Sequence, residues 1–210
     1  MKNILIIDDH EVVRDGVKRI LDDALGVVAF GEATTAPEAV RLVREQKWDV
    51  VVLDLSLGGR SGLEVLKELK QMRPRLPVLI LSMHSEEQYA RRAFKGGAAG
   101  YVTKDSPRAE LVKAVSKVIE GGRYVSPILA EKLVVYIEGD TDHPPQETLS
   151  DREFEVMRLI ASGKTVGEIA GILSLSDKTI STYRTRLLEK MRMKTNAELT
   201  HYAIKNGLVD

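Results

Sequence analysis

The chain has 210 residues, 43% hydrophobic and 30% charged, with 31 Lys and Arg balanced by 31 Asp and Glu. That composition suits one large folded domain or two small ones, and the zero net charge offers no global argument for nucleic acid. The absence of cysteine excludes disulfide scaffolds, thiol nucleophiles and Cys-ligated zinc, and the four histidines (His10, His84, His143, His201) form no metal-ligand spacing.

The opening "MKNILIIDD" is too short an apolar run for a signal peptide, and no run approaches the ~18 residues that span a bilayer. A cytoplasmic protein without membrane contact is expected. Short β-branched runs then predict strands buried on both faces at 3–8, 27–33, 50–55, 77–82 and 100–103. Between them lies helical spacing, as in Val12, Val13, Val17, Ile20 and Leu21, or Leu63, Leu66 and Leu69. The fifth helix is predicted to start with Ser106 as N-cap and Pro107 at the first helical position, with Gly121 beyond its end. Five strands alternating with five helices predict an α/β domain over residues 1–120. Its doubly wound five-stranded parallel sheet would have the flavodoxin-like order 2-1-3-4-5.

Residues 121–147 read as a connector, with a helix in "SPILAEKLVVYIEG" followed by a polar tether, "GDTDHPPQET". From residue 148 to 210 the pattern is all helical, four helices in sequence. Ser150 and Glu153 predict a capping box, flanked by Leu149 and Phe154 as a hydrophobic staple, with Gly163 closing that helix. Helices are predicted at about 166–173 and 177–191, and Thr195 with Glu198 predicts a second capping box opening the last.

In open α/β sheets ligands bind outside the carboxyl ends of the strands. Asp8 and Asp9 end the first predicted strand, Asp54 the third and Ser82 the fourth, and Lys104 follows the fifth. The predicted strand order gathers these residues in one pocket. Three carboxylates so close raise one another's pKa, and a hard cation such as Mg2+, which prefers oxygen ligands, relieves that repulsion. An aspartate held there can attack phosphorus, while the metal and Lys104 offset charge on the transferring group and Ser82 offers it a hydroxyl.

The stretches "LIIDDHEVVRDG", "VVLDLSLGGRSGLEVL", "VLILSMH" and "AAGYVTKDS" resemble the receiver domain of bacterial two-component response regulators, over residues 1 to about 120. The resemblance implies that Asp54 is the phosphoacceptor and that Asp8 and Asp9 serve Mg2+ with the backbone carbonyl of Ser56. It makes Ser82 the switch hydroxyl, Tyr101 the switch aromatic and Lys104 the phosphate-contacting lysine. The chain departs from the usual Met-Pro-Gly after the phosphoacceptor strand, carrying Leu57-Gly58-Gly59, and has Gly96-Gly97 at the end of the fourth helix.

The helices at 166–173 and 177–191 read as helix, turn, longer helix. Ile169, Ala170 and Ile172 are expected to face the core, as are Ile180, Leu187, Leu188 and Met191. The other side of the longer helix carries Lys178, Thr179, Ser181, Thr182, Arg184, Thr185 and Arg186. From Lys178 to Lys194 six Lys or Arg face one acidic residue, Glu189. A helix-turn-helix places its second helix in the major groove, where such side chains meet bases and phosphates. This region resembles the DNA-binding output domain of NarL/FixJ-type (LuxR-like) regulators, whose final helix commonly supplies a dimer contact.

Together the two resemblances imply a transcription regulator phosphorylated by a sensor histidine kinase. It would form a homodimer when phosphorylated and bind double-stranded promoter DNA, assisting only its own phosphoryl transfer and dephosphorylation. Two other readings stand beside it. One is a magnesium-dependent phosphohydrolase turning over on Asp54, which would want a carboxylate at the position of Ser56. The other is a DNA-binding protein whose N-terminal domain is a constitutive dimerisation scaffold.

Overall fold

The computed structural model describes residues 2–26, 28–57, 60–84, 86–131 and 145–209. The chain divides into two compact units, Met1–Val134 and Val135–Asp210. In the first unit the strands are β1 (Lys2–Ile7), β2 (Val28–Ala33), β3 (Val50–Leu53), β4 (Ser56–Leu57), β5 (Arg60–Ser61), β6 (Val78–Ser82) and β7 (Gly100–Thr103). Helices α1 (Glu11–Leu25), α2 (Ala36–Glu45), α3 (Gly62–Met72), α4 (Glu86–Lys95) and α5 (Arg108–Ile119) alternate with them. The parallel sheet runs β2-β1-β3-β6-β7, which is the predicted order once the two-residue antiparallel ribbon β4/β5 is set aside.

The sheet is buried on both faces, as its unbroken apolar runs require. On one face Ile4, Ile6, Val50, Val52, Leu79, Leu81 and Val102 pack with Val17 and Leu21 of α1 and with Leu111, Ala114, Val115 and Val118 of α5. The alternate residues Leu5, Ile7, Val51, Leu53, Val78 and Ile80 point to the opposite face and are equally buried. Each such side chain contributes about 1.5–3 kcal/mol on leaving water. A buried ion costs several kcal/mol, so a sheet of this size can carry two carboxylates at the carboxyl ends of its inner strands.

Three details differ from the sequence expectation, at Val12, Pro107 and Tyr124, and the glycine pair stands at the helix end where it was expected. Val12 is 85% exposed, because the inward face of α1 runs through Arg14, Val17 and Leu21, and Val12 lies about 200° round the helix from Arg14. Pro107, rather than Ser106, is the N-cap of α5, because the Ser106 hydroxyl is hydrogen-bonded to that of Thr103 at 2.8 Å. Gly96-Gly97 terminates α4: Gly97 adopts φ +95° and its N–H donates to the Phe94 carbonyl at 3.1 Å. Tyr124, in the expected connector, is a core residue whose N–H donates to Ala99 beside β7. Gly121 does lie beyond α5, at φ +86°. Of the expected connector helix, residues 127–131 are helical; residues 132–144, like Gly58 and Gly59, lie outside the described residues.

In the second unit a 3-10 turn (Pro145–Thr148) precedes α6 (Asp151–Ala161), α7 (Val166–Leu173), α8 (Asp177–Met191) and α9 (Asn196–Lys205). The Ser150–Glu153 capping box forms in both directions, and Leu149 and Phe154 are both buried. Thr165 with Glu168 makes a second full box that was not expected. The Thr195 box is half formed: its hydroxyl accepts from the Glu198 N–H, but Glu198 turns to the Lys194 N–H at 2.8 Å. Ile169, Ala170, Ile180, Leu187, Leu188 and Met191 are buried as expected, whereas Ile172 is 51% exposed, about 200° round the helix from Ala170. Among the described residues no helix is long and apolar enough to cross a membrane.

Candidate functional site

Asp8, Asp54, Ser82 and Lys104 meet at the carboxyl ends of β1, β3, β6 and β7. The backbone fixes them there. The Asp8 N–H donates to Ala33 O at 3.1 Å and the Asp54 N–H to Ile7 O at 2.9 Å, while the Lys104 N–H donates to Ser82 O at 2.9 Å. Behind Asp54 the chain turns so tightly that a Cβ on Gly62 would stand 2.4 Å from the Asp54 carbonyl oxygen. Only glycine lets α3 begin against that turn.

The Lys104 ammonium lies between two carboxylates, 2.7 Å from Asp8 Oδ2 and 2.7 Å from Asp54 Oδ2. Both aspartates are 2% exposed. Burial pushes the Asp54 carboxyl above its ordinary range; Lys104 opposes that rise and the Asp8 charge adds to it. Burial works against the Lys104 charge too, yet the two carboxylates hold its pKa above the ordinary lysine value. The result is a charged lysine gripping one oxygen of Asp54. The other, Asp54 Oδ1, is buried and makes no hydrogen bond among the described residues. A bare, desolvated carboxylate oxygen is an open position for a cation or an electrophile.

Asp9 is more exposed, and His10 joins it: the imidazole Nδ1 lies 2.7 Å from Asp9 Oδ1, and the His10 N–H donates to Asp8 Oδ1 at 2.9 Å. Ligand atoms of Asp8, Asp9, His10 and Asp54 lie within 4.8 Å of one another. Carboxylate oxygens dominate that donor set, and with the orphaned Asp54 Oδ1 it fits a hard divalent cation. His10 had no metal-ligand spacing in sequence; the fold brings it in because it follows the acidic pair directly. Ser56 stands in the ribbon, paired with Ser61, and its hydroxyl is 3.4 Å from His84 Nε2.

Ser82 and Tyr101 are both fully buried and share one partner. The Ser82 hydroxyl accepts from the His84 N–H at 3.3 Å, and the Tyr101 hydroxyl donates to the His84 carbonyl at 2.9 Å. The His84 ring stacks on Tyr89 of α4, with centroids 4.5 Å apart. Residue 84, the last of the "VLILSMH" stretch but given no role by it, therefore ties both expected switch residues to α4. A separate hollow of about 730 Å3 lies at the opposite end of the sheet, lined by Asn3, Trp48, Arg73 and Pro77 among others. None of the pocket carboxylates lines it.

In the second unit, Lys178, Ser181, Thr182, Thr185 and Arg186 are exposed on α8. Lys178, Thr179, Thr182, Tyr183 and Arg186 line a shallow notch of about 250 Å3; Tyr183 was not expected there. Four expected contacts have other work: the Thr182 and Thr185 hydroxyls donate to the Lys178 and Ser181 carbonyls at 2.9 and 3.1 Å. The Thr179 hydroxyl is 2.8 Å from that of the N-cap Ser176, and the Arg184 Nε donates to Asn196 Oδ1 at 2.7 Å. Lys190, counted in the basic run, donates to Glu153 at 2.6 Å.

These two constellations have counterparts among known proteins. The family description "Response regulator receiver domain" matches residues 4–116, and "Bacterial regulatory proteins, luxR family" matches residues 147–203. The chain is 37% identical over 209 residues to the response regulator UvrY of Escherichia coli K12, covering 99% of this chain and 96% of that one. It is 36% identical over 211 residues to the response regulator GacA of Pseudomonas aeruginosa, covering 100% and 99%. RcsB of Salmonella enterica serovar Typhimurium, solved bound to the promoter rprA with the phosphomimetic BeF3−, superposes with TM-score 0.65 at 28% identity, over 96% of this chain and 98% of that one. The chain belongs to the two-component response regulators of the NarL/FixJ type, with a receiver domain followed by a LuxR-type DNA-binding domain.

Proposed function

We propose that Asp54 is the phosphoacceptor of this regulator, with residues 1–120 as the receiver, 121–147 as the connector and 148–210 as the DNA-binding domain. The observation that carries the reading is the asymmetry of the Asp54 carboxylate: Oδ2 is held by Lys104 and Oδ1 is buried without a partner among the described residues. Mg2+ held by Asp8, Asp9, Asp54 and the Ser56 carbonyl would neutralise charge on the oxygens of the transferring phosphoryl group. An Asp54 oxygen forms the O–P bond as the P–N bond to a histidine of the sensor kinase breaks, and the imidazole leaves. Lys104 then pairs with the phosphoryl oxygens and Ser82 turns its hydroxyl to them. That movement releases the His84 N–H, and Tyr101, bonded to the same residue, carries the change to α4. The protein acts once per phosphoryl group, as a switch rather than a turnover enzyme, in the cytoplasm. Phosphorylation favours a homodimer whose two α8 helices read the half-sites of double-stranded promoter DNA. The face of α8 that carries Lys178, Thr179, Ser181, Thr182, Arg184, Thr185 and Arg186 meets the DNA, with Lys178 and Arg186 reaching it directly and Arg184 and Thr179 held by Asn196 and Ser176.

The test is incubation with acetyl phosphate and Mg2+, read on a phosphate-affinity gel and by size-exclusion chromatography. Wild type should take up one base-labile phosphoryl group and shift toward dimer, and Asp54→Ala should do neither. Labelling of Asp54→Ala at the wild-type level would sink the assignment.

A further inference from the structure

Arg14, on the first turn of α1, lies behind the acidic pocket rather than in it. Its side chain is 11% exposed, a placement arginine tolerates when its charge is compensated. The guanidinium spans two partners. Nη1 donates to the backbone carbonyl of Asp8 at 3.0 Å, and Nε donates to Glu32 Oε2 at 2.8 Å. Glu32, near the end of β2, accepts on its other oxygen from Lys18 at 2.6 Å, and Lys18 also pairs with Asp15 at 2.8 Å. Lys18 and Arg14 hold the Glu32 carboxyl below its usual range, so it stays a charged anchor.

The carbonyl that Arg14 holds belongs to the peptide joining Asp8 to Asp9. Because a peptide unit is planar, pinning that oxygen fixes the plane from which Asp9 departs. The rest of Asp8 is already held, its N–H by Ala33 and its carboxylate by His10 and Lys104. We infer that Arg14, clamped by Glu32, is a positioning residue that aims the Asp8–Asp9 pair at its cation without touching cation or phosphate. This rests on the reading of that pair as the magnesium site. A lysine offers one ammonium where the guanidinium offers a rigid fork, so Arg14→Lys keeps the charge and loses the two-point clamp.

Charge and positioning predict opposite signs. A guanidinium near a cation site repels the cation, so removing it for its charge alone would tighten Mg2+ binding. Removing a clamp on the ligands loosens it. In the full chain, Mg2+ affinity is measured by titration calorimetry without phosphodonor, and phosphoryl uptake is measured separately at saturating Mg2+. Arg14→Met should weaken Mg2+ binding about 10-fold, the usual scale for a group that orients metal ligands. Arg14→Lys and Glu32→Gln, which each leave part of the clamp in place, should each weaken it by less than Arg14→Met does. All three should retain most of their uptake at saturating Mg2+. Unchanged or tighter binding in Arg14→Met overturns the inference. If that variant is unfolded by circular dichroism, unchanged binding in both Arg14→Lys and Glu32→Gln overturns it instead. Wild type that binds no Mg2+ overturns the magnesium reading itself, which separates the two failures.

Discussion

Lys104 and Arg186 are both cations that the proposed function sets against phosphate, yet the fold treats them in opposite ways. The Lys104 side chain is 9% exposed, with two carboxylates at 2.7 Å. Arg186 stands on the exposed face of α8. The receiver immobilises its charges because phosphoryl transfer rewards groups already in place when charge develops. The recognition helix leaves its charges in solvent because attraction to a DNA backbone acts at a distance and is driven by counterion release. The same residue class is thus an organised part of a site in one domain and an adaptable surface in the other.

The largest expected effect comes from breaking the organised side. Lys104→Met should slow phosphoryl uptake from acetyl phosphate about 100-fold or more, the scale for removing a preorganised electrostatic group. It should also tighten Mg2+ binding, because Asp8 and Asp54 would then face each other with no cation between them. Slower uptake with tighter metal binding would be specific to a lysine that serves the transferring group. Wild-type rates in Lys104→Met would remove the main support for the contrast.

On the exposed side the loss should be smaller and dependent on salt. Lys178→Ala with Arg186→Ala should weaken promoter binding about 10-fold in moderate salt and reduce the slope of log affinity against log salt by about 2. Arg184→Ala should leave that slope nearly unchanged and lower thermal stability, because its guanidinium is occupied by Asn196. Equal slopes for Arg184→Ala and Arg186→Ala would show that Arg184 leaves Asn196 for DNA.

Sequence periodicity located the elements well because both domains follow local rules. The bounds of α7 and α8 and the strand order follow from apolar spacing, capping residues and glycines. The pocket was legible for a different reason: strand ends converge in this architecture, so Asp8, Asp54, Ser82 and Lys104 meet wherever the fold forms. Partner choice was not legible. Arg184 turning to Asn196, Lys190 turning to Glu153 and Tyr101 reaching residue 84 all depend on groups distant in sequence. Basic residues counted along α8 could not be sorted into paired and solvent-facing ones until their neighbours were known.

Lys190 gives the finest test of that sorting. Its ammonium donates to Glu153, which is 3% exposed and closes the Ser150 capping box. Burial pushes the Glu153 carboxyl up, but Lys190 and the Ser150 N–H and hydroxyl outweigh it, and the net pKa lies below the ordinary 4.5. A carboxyl depressed by folding contributes stability above its unfolded pKa and loses it as pH falls through the folded value. Glu153→Gln keeps an acceptor for the box and removes only the charge. At pH 7 it should destabilise the second unit by about 1 kcal/mol, less than a fully buried charged hydrogen bond because Lys190 is partly in solvent. Amide hydrogen exchange of α6 and α8 in the full chain would report that loss, which should shrink below pH 4.5 as the wild-type carboxylate protonates. The DNA salt slope should stay the same, since Lys190 is not among the residues that line the α8 notch. A deficit that persists unchanged to pH 3 would mean the contribution is packing rather than charge.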